Sequence, residues 1–120
     1  MLERKQGAIM NLVSALAIRA MPNTTVFCMT MAAVHHLTKA LALEWAREGI
    51  RVNAVGLGWF SEGSPEKSRE PDSRIAKLIP LRRYGRPEEL GPAVIYLASD
   101  SCAYTTGQTL FLDGGLLSRA

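Results

Sequence analysis

Few side chains in this sequence can carry chemistry, and their spacing limits what that chemistry is. Ser14 closes the apolar run Ala8-Ile9-Met10-Asn11-Leu12-Val13, which begins after Gly7. Its hydroxyl therefore belongs at the carboxyl end of a short strand buried on both faces, as in a parallel sheet. His35 and His36 are adjacent, so on a helix they point about 100° apart and do not easily share one metal. HExxH spacing is absent, and no metal site is expected. Cys28 and Cys102 lack CxxC spacing and read as free thiols in a reducing compartment, which makes the cytoplasm the expected location. The segment from Gly56 to Pro71 crowds Gly56, Gly58, Ser61, Gly63, Ser64, Pro65 and Pro71 around the aromatic pair Trp59-Phe60. It reads as a long loop after a parallel strand, and such loops hold ligands in open α/β sheets.

The elements that must position these groups follow from apolar spacing. Gly7 to Val13 reads as the first strand, and Ser14 to Asn23 as a loop with its turn at Pro22-Asn23. A long helix is expected from Thr25 to Glu48, with Val34, Leu37, Leu41 and Trp45 as its core-facing stripe and Gly49 as its stop. Arg51 to Val55 reads as a second strand, completing a βαβ unit. A short helix is expected over Ser73 to Ile79. Pro87-Glu88-Glu89 opens another helix that ends near Ala98, with a kink at Pro92. Gln108 to Leu112 is the third strand, stopped by the turn Asp113-Gly114-Gly115. Asn11 and Asn53, polar inside apolar strands, are expected to bond neighbouring backbone, and Arg82-Arg83 to be a solvated surface pair. The pattern is that of an α/β protein with a three-stranded parallel sheet.

Bulk properties narrow the function classes. The 120 residues suffice for one domain with its own core. A net charge of +3 comes from dispersed basic residues such as Lys39, Arg47, Arg51, Lys67 and Arg86. That dispersion is unlike a phosphate-tracking stripe, so nucleic acid is not an expected partner. No apolar run is expected to approach the length of a membrane span, and the charged start Glu3-Arg4-Lys5 is unlike a signal peptide.

Several separate motifs resemble those of the short-chain dehydrogenase/reductase superfamily. The run Leu37-Thr38-Lys39-Ala40-Leu41-Ala42 is similar to that family's central helix, and Gly49-Ile50-Arg51-Val52-Asn53-Ala54-Val55 to the strand after it. Gly85-Arg86-Pro87-Glu88-Glu89-Leu90, Tyr96-Leu97-Ala98-Ser99-Asp100, Thr106-Gly107-Gln108 and Asp113-Gly114-Gly115 follow in the family's order. The resemblance implies the C-terminal part of a Rossmann-like, doubly wound parallel sheet, spanning residues 1–120 as a single partial domain. Its N-terminal, cofactor-binding half, with a glycine-rich turn for the pyrophosphate, has no counterpart in these residues. The family implies NAD or NADP as cofactor and a carbonyl or secondary alcohol as substrate. It also implies oligomers built on the long helix, so the expected partners are a second copy or a full-length relative.

Carried over residue by residue, the resemblance places the catalytic serine at Ser14. Thirteen residues on, the family's tyrosine position holds Phe27, and four beyond that its lysine position holds Met31. In the family the tyrosine exchanges a proton with the alcohol, while the lysine lowers its pKa and holds the nicotinamide ribose. Phenylalanine has no ionisable proton and methionine no charge. Gly58, Trp59 and Phe60 fall where the family's loop meets the cofactor. Leu57 replaces the usual proline, and Glu62 stands at a threonine position, where its carboxylate would repel the pyrophosphate. The expectation is an oxidoreductase by lineage with degenerate catalytic positions, a pseudoenzyme inactive on its own. The alternatives are a non-catalytic oligomerisation module and the product of a degenerate gene.

Overall fold

The computed structural model describes residues 1–61 and 74–119. Three parallel strands lie in the order β1 (Gly7–Ser14), β2 (Ile50–Leu57), β3 (Thr109–Leu112). The register runs from Gly7 opposite Ile50 to Ser14 opposite Leu57, and from Ala54 opposite Thr109 to Leu57 opposite Leu112. Ser14, Leu57 and Leu112 therefore finish at one end of the sheet. Helices α1 (Thr25–Trp45), α2 (Arg74–Leu78) and α3 (Gly91–Ala98) complete the fold. This is the Rossmann-like α/β architecture read from the sequence.

Each sheet face has its own core. On one, Ala42 of α1 packs with Ile50 and Val52, joined by Ile9, Leu41 and Trp45. On the other, Leu97 of α3 and Cys102 pack with Val55, joined by Met10, Leu57, Leu90 and Leu112. Strand alternation sends neighbouring residues of β2 into different cores, which is why apolar residues predominate along it. Its one charged member, Arg51, reaches past the sheet and donates to the carbonyls of Leu97 (2.8 Å) and Ser99 (3.1 Å). A cation thus meets orphan carbonyls at the carboxyl end of α3.

The core-facing stripe of α1 differs from the expected one. Thr38 and Ala42 are the buried residues, and Leu37 is 48% exposed. Leu41 and Trp45 do pack on the core, and Thr38 is buried with a partner on β1: Asn11 Nδ2 donates to Thr38 Oγ1 at 3.0 Å, and that hydroxyl donates to the Val34 carbonyl at 2.9 Å. Asn11 therefore bonds a helix side chain rather than backbone. Asn53 meets the expectation, donating to the Thr105 carbonyl (2.8 Å) and accepting from the Gln108 amide (3.0 Å). Thr25–Glu48, with a mean hydropathy of 1.4 over its most apolar window, is long and apolar enough to cross a membrane by length and composition. This corrects the expectation that no apolar stretch approaches span length: Lys39 and Glu44 break the run into shorter pieces, but the helix average stays apolar. Its packing against β1 and β2 accounts for one apolar face.

Three boundaries also shift. Part of the Ser14–Asn23 loop is a 3-10 turn, Ala15–Ala17, capped by Ser14. The long loop starts later than Gly56, because β2 continues to Leu57, and its later residues lie outside those described. The Pro87 element splits into a 3-10 turn (Pro87–Glu89) and α3, so Pro92 sits in a first helical turn, where its missing N–H costs little, instead of kinking a helix. Gly49 closes α1 and its following turn at φ 70°, and a Cβ there would lie against the Lys5 carbonyl oxygen. Only glycine fits that joint.

Candidate active site and the adjoining pocket

Ser14 is half-buried at the end of β1, and its hydroxyl oxygen accepts the Leu16 amide at 3.1 Å. It thereby caps the 3-10 turn that packs against α1. Phe27 lies in the first turn of α1 with 47% of its surface exposed, and Met31 follows one turn later, half-buried. Residues four apart share a helix face, so Phe27 and Met31 lie on the same side of α1. The helix start is set locally. Thr24 Oγ1 donates to the Met21 carbonyl at 2.6 Å and lies 3.1 Å from Cys28 Sγ, while Asn23 turns the chain at φ 63°. Asparagine tolerates that conformation better than most residues. Neither the Phe27 ring nor the Met31 thioether ionises.

A second cluster lies beyond the ends of β2 and β3. The Gly58 amide donates to the Leu112 carbonyl at 3.0 Å, and a Cβ on Gly58 would fall 2.7 Å from Asp113 Cα. Trp59 and Ser61 are fastened to Gly85: its amide donates to the Trp59 carbonyl (2.8 Å), and its carbonyl accepts the Ser61 amide (2.9 Å). The Phe60 ring occupies the space that a Gly85 side chain would need. A pocket of about 490 Å³ opens here, with walls from Trp59, Phe60, Leu81, Phe111 and Leu112. Glu62 falls outside the described residues.

The charges beside this pocket are committed to one another. Arg83 donates to both carboxylate oxygens of Glu89, at 2.8 and 2.7 Å. Glu89 also accepts the Arg86 amide at 2.8 Å. Those bonds, the Arg83 pair foremost, hold the Glu89 carboxyl at about 2, well below its ordinary range, and raise Arg83. Asp113 accepts the amides of Gly115 and Leu117, both at 2.8 Å, which makes Asp113-Gly114-Gly115 a turn that closes β3. Arg83 keeps 36% of its side chain exposed, as a surface residue should, but it is paired with Glu89, which the sequence expectation did not include. Six residues separate it from Glu89 across an irregular turn, and no helix or strand spacing could have flagged the pair.

His35 faces the sheet from α1. Its Nδ1 lies 3.1 Å from Thr109 Oγ1, and its ring centre 6.1 Å from that of Phe111. Burial, then the positive charges of Lys39 and His36, lower its pKa. Among the described residues, no three His, Cys, Asp or Glu side chains gather where they could hold a metal. Cys28 and Cys102 are unpaired thiols, the second one buried.

A parallel sheet with candidate residues ranged along its carboxyl ends is the architecture of a Rossmann-like oxidoreductase domain. The chain belongs to the short-chain dehydrogenase/reductase superfamily: residues 1–117 match the family described as enoyl-(acyl carrier protein) reductase, and its curated relatives are short-chain dehydrogenases. It is 40% identical over 121 residues to a 3-oxoacyl-[acyl-carrier-protein] reductase FabG of Thermotoga maritima, covering 98% of this chain and 48% of that protein. It is 44% identical over 119 residues to 3beta-hydroxysteroid dehydrogenase 1 of Eggerthella lenta, covering 96% and 46%. Among solved structures it resembles a gluconate 5-dehydrogenase from Burkholderia cenocepacia in complex with NADP and tartrate. The TM-score is 0.87 at 34% identity, over 99% of this chain and 48% of that one. The chain spans about half the length of the relatives it matches. Family members use a nicotinamide cofactor. Phe27 and Met31, at the positions that the resemblance gives to the family's tyrosine and lysine, carry neither an ionisable proton nor a charge.

Proposed function

We propose that this chain is the C-terminal part of a short-chain, NAD(P)-dependent oxidoreductase fold of carbonyl/alcohol lineage that is catalytically silent on its own. The pair Phe27 and Met31 carries this reading. Their helix face and spacing fit the family's proton donor and its lysine, yet neither side chain ionises. Losing a general acid/base alone costs about 10²–10⁴-fold in rate. The 120-residue chain is therefore expected to show no micromolar binding of NADH or NADPH in calorimetry and no turnover of a ketone panel above background. Either signal overturns the reading.

Two surfaces support a role in assembly. Among the described residues β1 pairs only with β2, leaving the other edge of Gly7–Ser14 open. The outer face of α1 exposes Val26, Met29, Leu37 and Leu43. A second copy, or a full-length relative supplying a neighbouring strand, would cover such surfaces. The two free thiols favour a cytoplasmic setting for that assembly.

A further inference from the structure

We infer that the pocket beyond β2 and β3 binds the neutral, apolar ring portion of a carbonyl compound and rejects polyhydroxy acids. This inference rests on the oxidoreductase lineage proposed above and adds the class of ligand. Its volume of about 490 Å³ lies within the range of small-molecule sites, and Trp59, Phe60 and Phe111 give it aromatic walls.

The decisive observation is the state of its charged groups. Arg83 is engaged by both oxygens of Glu89, and Asp113 by two backbone amides. A sugar acid entering here would lose water from its carboxylate and hydroxyls. To gain a cation it would have to break the Arg83–Glu89 pair, leaving Glu89 uncompensated. A neutral alicyclic ketone asks for none of this. Its rings displace water from aromatic surface, and the committed ion pair remains intact. The wall is also pre-formed, because Gly85 fastens Trp59 and Ser61 through backbone bonds.

Trp59 reports occupancy directly. The other tryptophan, Trp45, packs in the core beneath α1, away from this pocket. The test titrates the full chain with 2-decalone, a neutral bicyclic ketone, and separately with gluconate, following tryptophan emission. Saturable quenching by decalone is expected, retained in Trp45→Phe and abolished in Trp59→Phe, with gluconate inert. Leu81 lines the pocket and is 62% exposed, so Leu81→Asp sets a carboxylate at the lip with little burden on folding. It should weaken decalone binding about tenfold or more. Leu81→Gln, neutral and similar in size, is the second variant should the first fail to fold, and it should weaken binding by less. No saturable quenching by decalone, equal quenching by gluconate, or unchanged binding in both Leu81 variants overturns the inference. The readout is binding without turnover. Cofactor binding or catalysis by the chain would therefore sink the functional reading and leave this one standing.

Discussion

The end of β1 and the corner beyond β2 and β3 have kept different things. At the first, Ser14 caps a turn and Phe27 and Met31 share one helix face, and on the proposed reading two of these three positions lack an ionisable group. At the second, the chemistry is turned inward: Arg83, Glu89 and Asp113 are spent on one another and on backbone. Backbone geometry there is held by the strands, by Gly85 and by an ion pair. Position and reactivity are thus separable, because the sheet and α1 are built by residues other than those that would react. On the proposed reading, this fold keeps the address of an active site whose occupants have changed.

The largest effect should come from restoring those occupants. Phe27→Tyr with Met31→Lys, in the chain reconstituted with a complementary N-terminal half, should raise carbonyl reduction above the unsubstituted complex. A gain on the order of 10²–10⁴ is what a recovered general acid/base supplies. A folded complex that stays inactive would mean that Leu57, or drift of the Gly58–Phe60 wall, disables the site independently.

Next in size is the effect on association. The sequence marks β1 as an unguarded edge, without lysine, proline or glutamate between Ala8 and Val13. The structure decides which residue can be changed. Met10 packs against the core formed by Val55 and Leu97, whereas Leu12 is 61% exposed. Leu12→Lys should therefore shift the chain toward monomer in sedimentation without lowering its melting temperature, and Met10→Lys should cost stability. A parent chain that is already monodisperse at tens of micromolar would refute the open-edge account.

The sequence disclosed strands and helices wherever one local pattern governs an element. The apolar runs of β1 and β2 and the Gly49 stop fall where expected, because burial on two faces and a left-handed joint each leave a local signature. It disclosed less where two distant residues share the decision. Asn11 and Thr38 are 27 positions apart, and their hydrogen bond accompanies a helix orientation in which Thr38 is buried and Leu37 faces outward. Ser14, Phe27 and Met31 were singled out through family spacing, and the fold sets Ser14 at the end of β1 and the other two on α1. The pocket was not, since Phe111 and Leu81 reach it from separate segments and Arg83 finds Glu89 across a turn.

Glu89 offers a smaller test, on stability. Its bidentate pair with Arg83 is about one-third exposed, so solvent screening trims its value, and Glu89→Gln should cost about 1 kcal/mol, a few degrees of melting temperature. The pH dependence has a definite sign. The carboxyl sits at about 2 in the fold against an ordinary 4.5, so its contribution is complete above the ordinary value. It is lost as pH falls from there through about 2. In Glu89→Gln that acid-dependent part should vanish. An unaltered acid limb in denaturant titrations would show that the pair is ornamental.

The smallest expected effect belongs to His35, on the opposite face of the sheet from α3. Its imidazole packs toward Thr109 and Phe111, and burial, Lys39 and His36 all oppose its protonation in the fold. Unfolding restores the ordinary value of 6.5, so the unfolded chain takes up the proton more readily. Stability from this residue is therefore complete above about 6.5 and declines as pH falls below it, before Glu89 begins to titrate. Urea midpoints measured from about pH 7.5 down to about pH 5.5 should decline in the parent chain. His35→Asn keeps a polar group near Thr109 without a titrating ring, and its midpoints should decline less over that interval. If the two curves run parallel, the contact with Thr109 survives protonation, and the coupling between α1 and β3 is steric rather than electrostatic.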